Sequence, residues 1–439
     1  MLYSRLTAFL QPYCQRPRRF VLALSGGLDS RVLLDLMGQF IRQHPLHQCQ
    51  VVHVHHGLSP NADTWLTRCR DWSAQAGLAF AAEHVTVQQG TRLSVEQQAR
   101  EQRYQALARH VQSGDLLLTA QHADDQLETF LLALKRGSGP AGLAAMAPES
   151  SFGEGVHLRP LLSTTRAEME TYADAKGLAW VEDESNRNTR YDRNFLRHEI
   201  TPALVARWPG VRKSVARSAA LCGEQEALLE ELLADRLAQA VQADGSLAIA
   251  KLGSERTGKQ LIRLWLRQQD VLMPTQAQLA QIWHSVVQAR ADANPQLRWH
   301  TVEVRRHRQH LYLIRQWPDI RHWQQPCVLG TPCALPQGLG TVLLQQTAQG
   351  QLRLPAPDEP VSVRFNPEGI EARPVGRVGR RKLKKLFQEY GVPSWNRRRT
   401  PLIFYGEQLA AVAGLFVVEG FHGQDCDLTW HNDVFHVQC

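Results

Sequence analysis

The apolar run Phe20-Val21-Leu22-Ala23-Leu24 passes directly into Ser25-Gly26-Gly27-Leu28-Asp29-Ser30. That hexapeptide opens a stretch, Asp29 to Ile41, in which Val32, Leu33, Leu36, Met37 and Phe40 recur on one helical face. A buried strand that ends on two glycines and turns at once into an amphipathic helix belongs to a parallel α/β sheet, with the turn beyond the strand's carboxyl end. The alternation continues. Gln50 to Val54 reads as a strand, Asn61 to Ala76 as a helix ended by Gly77, and Phe80 to Val87 as a third strand. Ser94 to His110 reads as a helix whose Ser94 and Gln97 have capping-box spacing. Asp115 to Thr119 is a fourth strand, and Asp124 to Leu134 a helix with Leu127, Phe130, Leu131 and Leu134 expected to face inward. Val156 to Leu158 is a short strand, and Thr165 to Lys176 a helix with a second capping box at Thr165 and Glu168. Together these are five βα-type units.

The Ser25–Ser30 turn has the chemistry of an anion cradle. A helix start offers unpaired N–H groups and a positive dipole end, Gly26 and Gly27 admit close approach, and Ser25 and Ser30 add hydroxyls. Asp29 is the odd member: beside phosphates a carboxylate implies a bridging Mg²⁺ or a helix cap. A plain tight turn is the simpler alternative, and the full motif directly after a strand weighs against it. A second signature, Gln121-His122-Ala123-Asp124-Asp125-Gln126-Leu127-Glu128-Thr129, opens another helix. Asp125 and Glu128 share a helical face and are suited to Mg²⁺ or a cationic amine, whereas Asp124 reads as an ordinary first-turn acid. Lys135-Arg136-Gly137-Ser138-Gly139 can terminate this helix or shape a polyanion channel. Gly253 to Gln260 nearly matches a Walker A loop, but Gln260 replaces the Mg²⁺-binding hydroxyl and Glu255 would place negative charge in the cradle. A solvated turn before a helix Gln260–Gln268 is the better reading. His53, His55 and His56 have no acidic or cysteine partner nearby in sequence, which disfavours a metal centre.

After Pro209 the pattern changes. Val211 to about Val241 is Ala/Leu/Glu-rich and helical, helices continue to about Arg290, and His300 to Gln316 is strand-like. The expected divisions are 1–210 for the α/β domain, 211–317 for a mainly helical middle domain, 318–360 for a connector with β elements, and 361–439 for a small α+β domain. In the last of these, Arg377 to Lys385 holds six cations and no acid. Leu383, Leu386, Phe387 and Tyr390 form a buried face, and Trp395 precedes Arg397, Arg398 and Arg399. Arg380, Arg381, Lys384, Arg397 and Arg398 are therefore candidates for binding a polyphosphate. Asn186 to Arg197 mixes cations, amides and Tyr191, the groups that hold a splayed nucleotide. With 50 Lys+Arg against 42 Asp+Glu the formal charge is +8, which permits an anionic partner. The eight cysteines form no C-x-x-C pair and suit a reducing cytoplasm, and no apolar run approaches membrane-spanning length.

The Ser25–Ser30 loop resembles the pyrophosphate loop (PP-loop) of the ATP pyrophosphatases. The ordered series Ser25-Gly-Gly-Leu-Asp-Ser30, His56-Gly57-Leu58, His122 to Thr129, Arg136-Gly-Ser-Gly139, Gly142-Leu143, Arg159-Pro160-Leu161, Asp183-Glu-Ser-Asn186 and Tyr191 to Arg197 is similar to the tRNA(Ile)-lysidine synthetase family. The segment around Lys382 to Phe416 resembles that family's terminal domain. Gln121, where a second histidine is common, and His55, where asparagine is common, depart from the pattern. The resemblance implies a PP-loop ATP pyrophosphatase domain that attaches L-lysine to the wobble cytidine of a CAU-anticodon tRNA(Ile), with ATP and Mg²⁺. Ser25, Gly26, Gly27, Leu28, Asp29 and Ser30 would hold ATP, and Asp29, Asp125, Glu128 and Arg197 would act in catalysis. Asp29 and Asp125 would hold Mg²⁺, and Lys135, Arg136, Arg193 and Asn194 would touch RNA. A homodimer is left open. A tRNA thiolase is opposed by the missing C-x-x-C, a glutaminase-coupled amidotransferase by the lack of an apparent second nucleophile domain, and a non-catalytic RNA-binding module by the intact phosphate loop.

Overall fold

The computed structural model describes residues 1–57, 59–86, 95–269, 271–290 and 293–432, the side chains of 95–97 and 187 excepted. The Ser94–Gln97 capping box, Leu58, Val87 and Cys439 lie outside the described residues. The chain divides into two compact units, Met1–Glu231 and Leu232–Cys439.

The first unit is built on strands β1 (Arg19–Ala23), β2 (Gln48–His55), β3 (Ala79–His84), β4 (Leu116–Leu118), β5 (Glu149–Phe152) and β6 (Gly155–Leu158). They lie in the order β3-β2-β1-β4-β6-β5. All pair in parallel except β5, which forms an antiparallel hairpin with β6. β1 is the pivot. Leu22 registers with Val51 on one side and Leu118 on the other, and Phe20, Val21 and Leu22 are fully buried. Successive side chains serve opposite faces. Phe20 and Leu22 join one core with helices α1 (Leu2–Leu10), α2 (Leu28–Gln43), α3 (Ala62–Gln75) and α7 (Arg166–Lys176), while Val21 joins Val52, Leu117 and Leu107 of α4 (Val95–Ala108) on the other. α5 (Ala123–Lys135) and the single turn α6 (Pro140–Leu143) follow β4. After α7 come the turn α8 (Asp192–Phe195), a π-helical turn Leu196–Ile200, α9 (Thr201–Arg207) and the long α10 (Val211–Ala240).

The Thr165–Glu168 capping box forms with reciprocal bonds of 3.2 and 2.8 Å, and Gly177 at φ +62° ends α7. α1 and β5 lie where the sequence reading places no element. Pro202 sits in the first turn of α9, where no N–H is needed. One expectation, the inward face of α5, is corrected. Leu134 is 56% exposed and Phe130 and Leu131 only half-buried, because the buried face of α5 carries Asp124, Gln126, Leu127 and Glu128.

The second unit contains β7 (Leu247–Ala248), α11 (Glu255–Gln268), α12 (Gln276–Gln281), β8 (Gln296–Trp299), β9 (Val302–His307) and β10 (His310–Arg315). The middle stretch therefore joins its helices to an antiparallel sheet ordered β7-β10-β9-β8. Then follow β11 (Gln324–Pro326), β12 (Cys333–Ala334), β13 (Thr341–Gln346), β14 (Val361–Arg364), β15 (Glu371–Ala372), β16 (Arg381–Lys382), α13 (Leu383–Glu389), β17 (Leu402–Tyr405), β18 (Gln408–Val412), β19 (Phe416–Val417) and β20 (Cys426–His431). The 318–360 stretch carries the β elements expected of it, and they are built into the C-terminal core. β11 pairs with β14, β13 pairs with β20, and Ile320, Leu339, Val342 and Leu344 share one core with Val363, Phe365 and Ile403.

The Walker-like segment is a helix start rather than a loop. Ser254 accepts the Thr257 amide, α11 begins at Glu255, and Lys259 pairs with Glu255 at 2.5 Å. Gly258 packs so closely on Trp283 that a Cβ there would lie 2.1 Å from the indole ring. Gly258→Ala is expected to destabilise the protein by about 2 kcal/mol or more through overpacking. Lys259→Ala should leave ATP use unchanged. Denaturant melts and an ATP-consumption assay check the pair.

Candidate functional site

The turn after β1 is held from behind. The Leu24 amide donates to Val52 O at 2.9 Å, and His53 Nδ1 lies 2.8 Å from Leu24 O. Gly26 adopts φ +92°, and a Cβ there would meet Val181 Cγ2 at 2.9 Å and Cys69 Sγ at 3.1 Å. The Val181 amide donates to Gly26 O at 3.0 Å, so the chain after α7 backs the turn. Ser30 Oγ accepts the Gly26 amide at 3.2 Å, donates to Gly27 O at 3.0 Å and lies 3.0 Å from Ser25 Oγ. Gly27 is the N-cap of α2 and carries no side-chain cap, so the first amides of the helix keep their donors for an anion. Leu28 is buried in the core and offers only its backbone.

α5 starts beyond β4 and brings its acids to the same edge of the sheet. His122 is its N-cap: Nδ1 accepts the Asp124 amide at 3.2 Å, and Asp125 Oδ2 accepts the His122 amide at 3.2 Å. The His122 side chain is 1% exposed, with Nε2 3.3 Å from Asp125 Oδ2 and 3.6 Å from Asp29 Oδ2. Burial opposes a charge on the imidazole, but Asp124, Asp29 and Asp125 outweigh it and raise His122 to about 10. Protonation would trade the amide cap for Asp124 Oδ2, 3.7 Å from Nδ1. Asp29 lies 3.6 Å from Arg166 Nη1; burial pushes its carboxyl up, and His122, Arg166 and Arg197 pull it below the usual range.

Arg197 forms a fork across α5. Nε donates to Glu128 Oε1 at 2.8 Å, and Nη2 donates to Glu128 Oε2 at 3.0 Å and Asp125 Oδ1 at 2.9 Å. Arg193 Nε stands 3.7 Å from Glu128 Oε2, and Nη2 donates to Thr129 Oγ1 at 3.0 Å. Glu128 is 1% exposed at its side chain, and burial raises its carboxyl despite the fork. Asp124 is the first-turn acid expected, and it is also buried: its side chain is 9% exposed, and it accepts from Arg212 Nε at 2.6 Å and the Arg166 amide at 3.0 Å.

The structure therefore brings together Ser25–Ser30, Asp29, Asp125, Glu128, Arg193 and Arg197. It adds His122, Asp124, Arg166 and Arg212. His122 was legible as part of a motif; Arg212, 88 residues beyond Asp124, carried no local signal. Other candidates stand apart. Lys135 pairs with Asp192 at 2.7 Å, Arg136 is the exposed C-cap of α5, and the Asn194 amide is spent on Ser185 O and Asn188 O at 2.9 and 3.0 Å. Gln121 accepts from the Thr119 hydroxyl. His55 meets Asp63 at 3.0 Å and His56 accepts from Arg103 at 3.4 Å. Among the described residues no group of three His, Cys, Asp or Glu is placed to hold a metal.

In the second unit the basic run is less free than its sequence suggests. Arg377 and Arg381 both pair with Glu389, and Arg398 pairs with Glu368. Arg397 is half-buried and donates to Val392 O at 3.1 Å. Arg380 and Lys384 are exposed and make no ion pair among the described residues. Leu383, Leu386 and Phe387 are buried as expected, whereas Tyr390 is 42% exposed and stacks on Phe416.

Asp124→Asn removes the partner of Arg212 and should destabilise by about 2–4 kcal/mol at neutral pH. Its carboxyl is held low in the fold, because His122, the Arg166 amide and Arg212 outweigh the burial that pushes it up. The stabilisation is therefore complete above about pH 4 and shrinks as pH falls. Urea titrations of both proteins at pH 7 and pH 3.5 should show the gap narrowing.

No helix among the described residues is long and apolar enough to cross a membrane. Three family models match in chain order: a PP-loop domain over residues 2–204, the TilS substrate binding domain over 247–312 and the TilS substrate C-terminal domain over 361–434. Among solved structures, the U34-tRNA thiolase NcsA from Methanococcus maripaludis is 17% identical with a TM-score of 0.42, covering 52% of this chain and 78% of its own, too loose a likeness to carry an argument. The tRNA(Ile)-lysidine synthase of Photobacterium profundum is 64% identical over 431 residues, 98% of this chain and 99% of that protein. That of Vibrio parahaemolyticus is 50% identical over 432 residues, 98% of each. With a PP-loop domain followed by both substrate domains, and relatives that match it from end to end, the chain belongs to the tRNA(Ile)-lysidine synthase family.

Proposed function

We propose that this enzyme ligates L-lysine to C2 of the wobble cytidine, position 34, of CAU-anticodon tRNA(Ile), changing codon specificity from AUG to AUA. The observation that carries the reading is the uncapped start of α2 beside a buried set of acids on α5, within a chain whose relatives of that name match over 98% of its length. The α2 amides, Ser25 and Ser30 grip the ATP phosphates. The cytosine O2 attacks the α-phosphorus and pyrophosphate leaves. The lysine ε-amine then attacks C2, loses a proton, and AMP departs with the former O2. Holding three substrates in line is most of the catalytic task.

Asp29 fits Mg²⁺: its Oδ1 is buried and makes no hydrogen bond, and Mg²⁺ commonly takes one or two carboxylates plus substrate phosphates. Bound there, Mg²⁺ would offset charge on the leaving pyrophosphate. Asp125 fits it less well, since Arg197 and the His122 amide occupy both of its oxygens. The Asp125–Glu128 pair already holds a cation, the Arg197 guanidinium, and the lysine ammonium is the cation it would take in exchange. A reducing cytoplasm suits the buried, unpaired Cys49, Cys69, Cys333 and Cys426.

Incubation with ATP, labelled lysine and CAU-anticodon tRNA, followed by nucleoside analysis, should give lysidine and one AMP per lysine incorporated. tRNA binding without AMP release, whatever amine is supplied, overturns the reading. Arg380→Glu with Lys384→Glu should weaken tRNA binding and lower its salt dependence by roughly one unit of slope per lost phosphate contact, leaving the KM for ATP unchanged.

A further inference from the structure

Among the described residues, His122 is the side chain within ion-pair distance of both Asp29 on α2 and Asp125 on α5. Nothing else in the site spans the phosphate loop and the acidic helix so directly. With Nδ1 accepting the Asp124 amide, the ring proton of a neutral imidazole must sit on Nε2; in the imidazolium Nε2 is protonated as well. In either state a buried N–H points between two carboxylates. That N–H makes no hydrogen bond, and neither does the buried Oδ1 of Asp29. Nε2 lies 3.3 Å from Asp125 Oδ2 and 3.6 Å from Asp29 Oδ2, and Asp29 Oδ1 lies 3.6 Å from Arg166 Nη1, in a cluster otherwise closed by shorter contacts. Unmet buried groups of this kind are costly unless something completes them.

We propose that His122 is a positioning residue that couples the phosphate loop to the amine-binding acids: when the nucleotide fills the loop, Asp29 closes onto Nε2. The same N–H then holds Asp125 in register with Glu128 and keeps the two carboxylates from repelling each other. Asp125 is suited to receive this signal, because it faces His122 with Oδ2 and the Arg197 fork with Oδ1. This inference rests on the proposed ligase reaction.

Two variants separate the coupling from the helix cap. Asparagine is a strong N-cap, so His122→Asn keeps the start of α5 but puts no donor at Nε2. His122→Gln is a poorer cap, yet its longer amide can bring an N–H near that point. The expected result is a crossing. His122→Asn melts close to the parent but turns over at least tenfold more slowly and needs at least tenfold more lysine, with the KM for ATP within twofold. His122→Gln melts lower but recovers part of the turnover and of the lysine affinity. If His122→Asn matches the parent in turnover and in KM for lysine, or if both variants lose activity only in proportion to stability, the coupling is wrong. A parent protein that makes no lysidine overturns the proposed function itself, and the coupling falls with it.

Discussion

Everything at the site depends on where β1 stops. The strand is buried on both faces and clasped in parallel by β2 and β4, so its carboxyl end is set in the middle of a sheet whose other strands, β5 excepted, point the same way. The chain must then reverse within the four residues Leu24 to Gly27 to begin α2. The space for that reversal is limited by Val181 and Cys69, and a glycine at φ +92° is the residue that fits. Because β4 ends at the same edge, α5 starts beside α2. Two helix N-termini, each with free or capped amides, therefore face one small region, and their dipoles make it favourable for anions.

Into that region the protein places four carboxylates, Asp29, Asp124, Asp125 and Glu128, and offsets them with Arg166, Arg193, Arg197, Arg212 and His122. Burying charges at this density is unfavourable without such pairing. The pairs are unequal in kind. Asp124 and Arg212 are closely bound and seal the helix start, whereas Asp29 keeps an unmet oxygen and loose contacts at 3.6 Å. The Arg197 fork is tight as well. Close pairing and loose contact are thus divided among neighbouring residues of one cluster.

The second unit shows a different balance. Glu368 and Glu389 pair with three of the arginines in its basic segment, and Arg397 and Arg399 are drawn into the fold. What remains outward, Arg380, Lys382, Lys384 and Lys385, is a small cationic face beside the buried side chains of α13. A surface of that kind positions a polyanion without reading its bases.

Local features were legible in the residues themselves: the strand, the double-glycine turn, the helical face of α2, the capping box at Thr165 and Glu168, and the Asp125–Glu128 spacing. Each depends on contacts between residues a few positions apart, and such contacts follow from residue type and spacing. The hairpin partner β5, the absorption of 318–360 into the C-terminal core and the exposure of Leu134 were not legible, because they depend on what packs across from each segment. The same holds for the charges. That Asp124 is buried against Arg212, 88 residues away, and Glu128 against Arg197, 69 residues away, follows only once the sheet has brought α5, the π-helical turn after α8 and α10 to one edge. An ion pair is decided by distance in space, and separation along the chain carries no information about it.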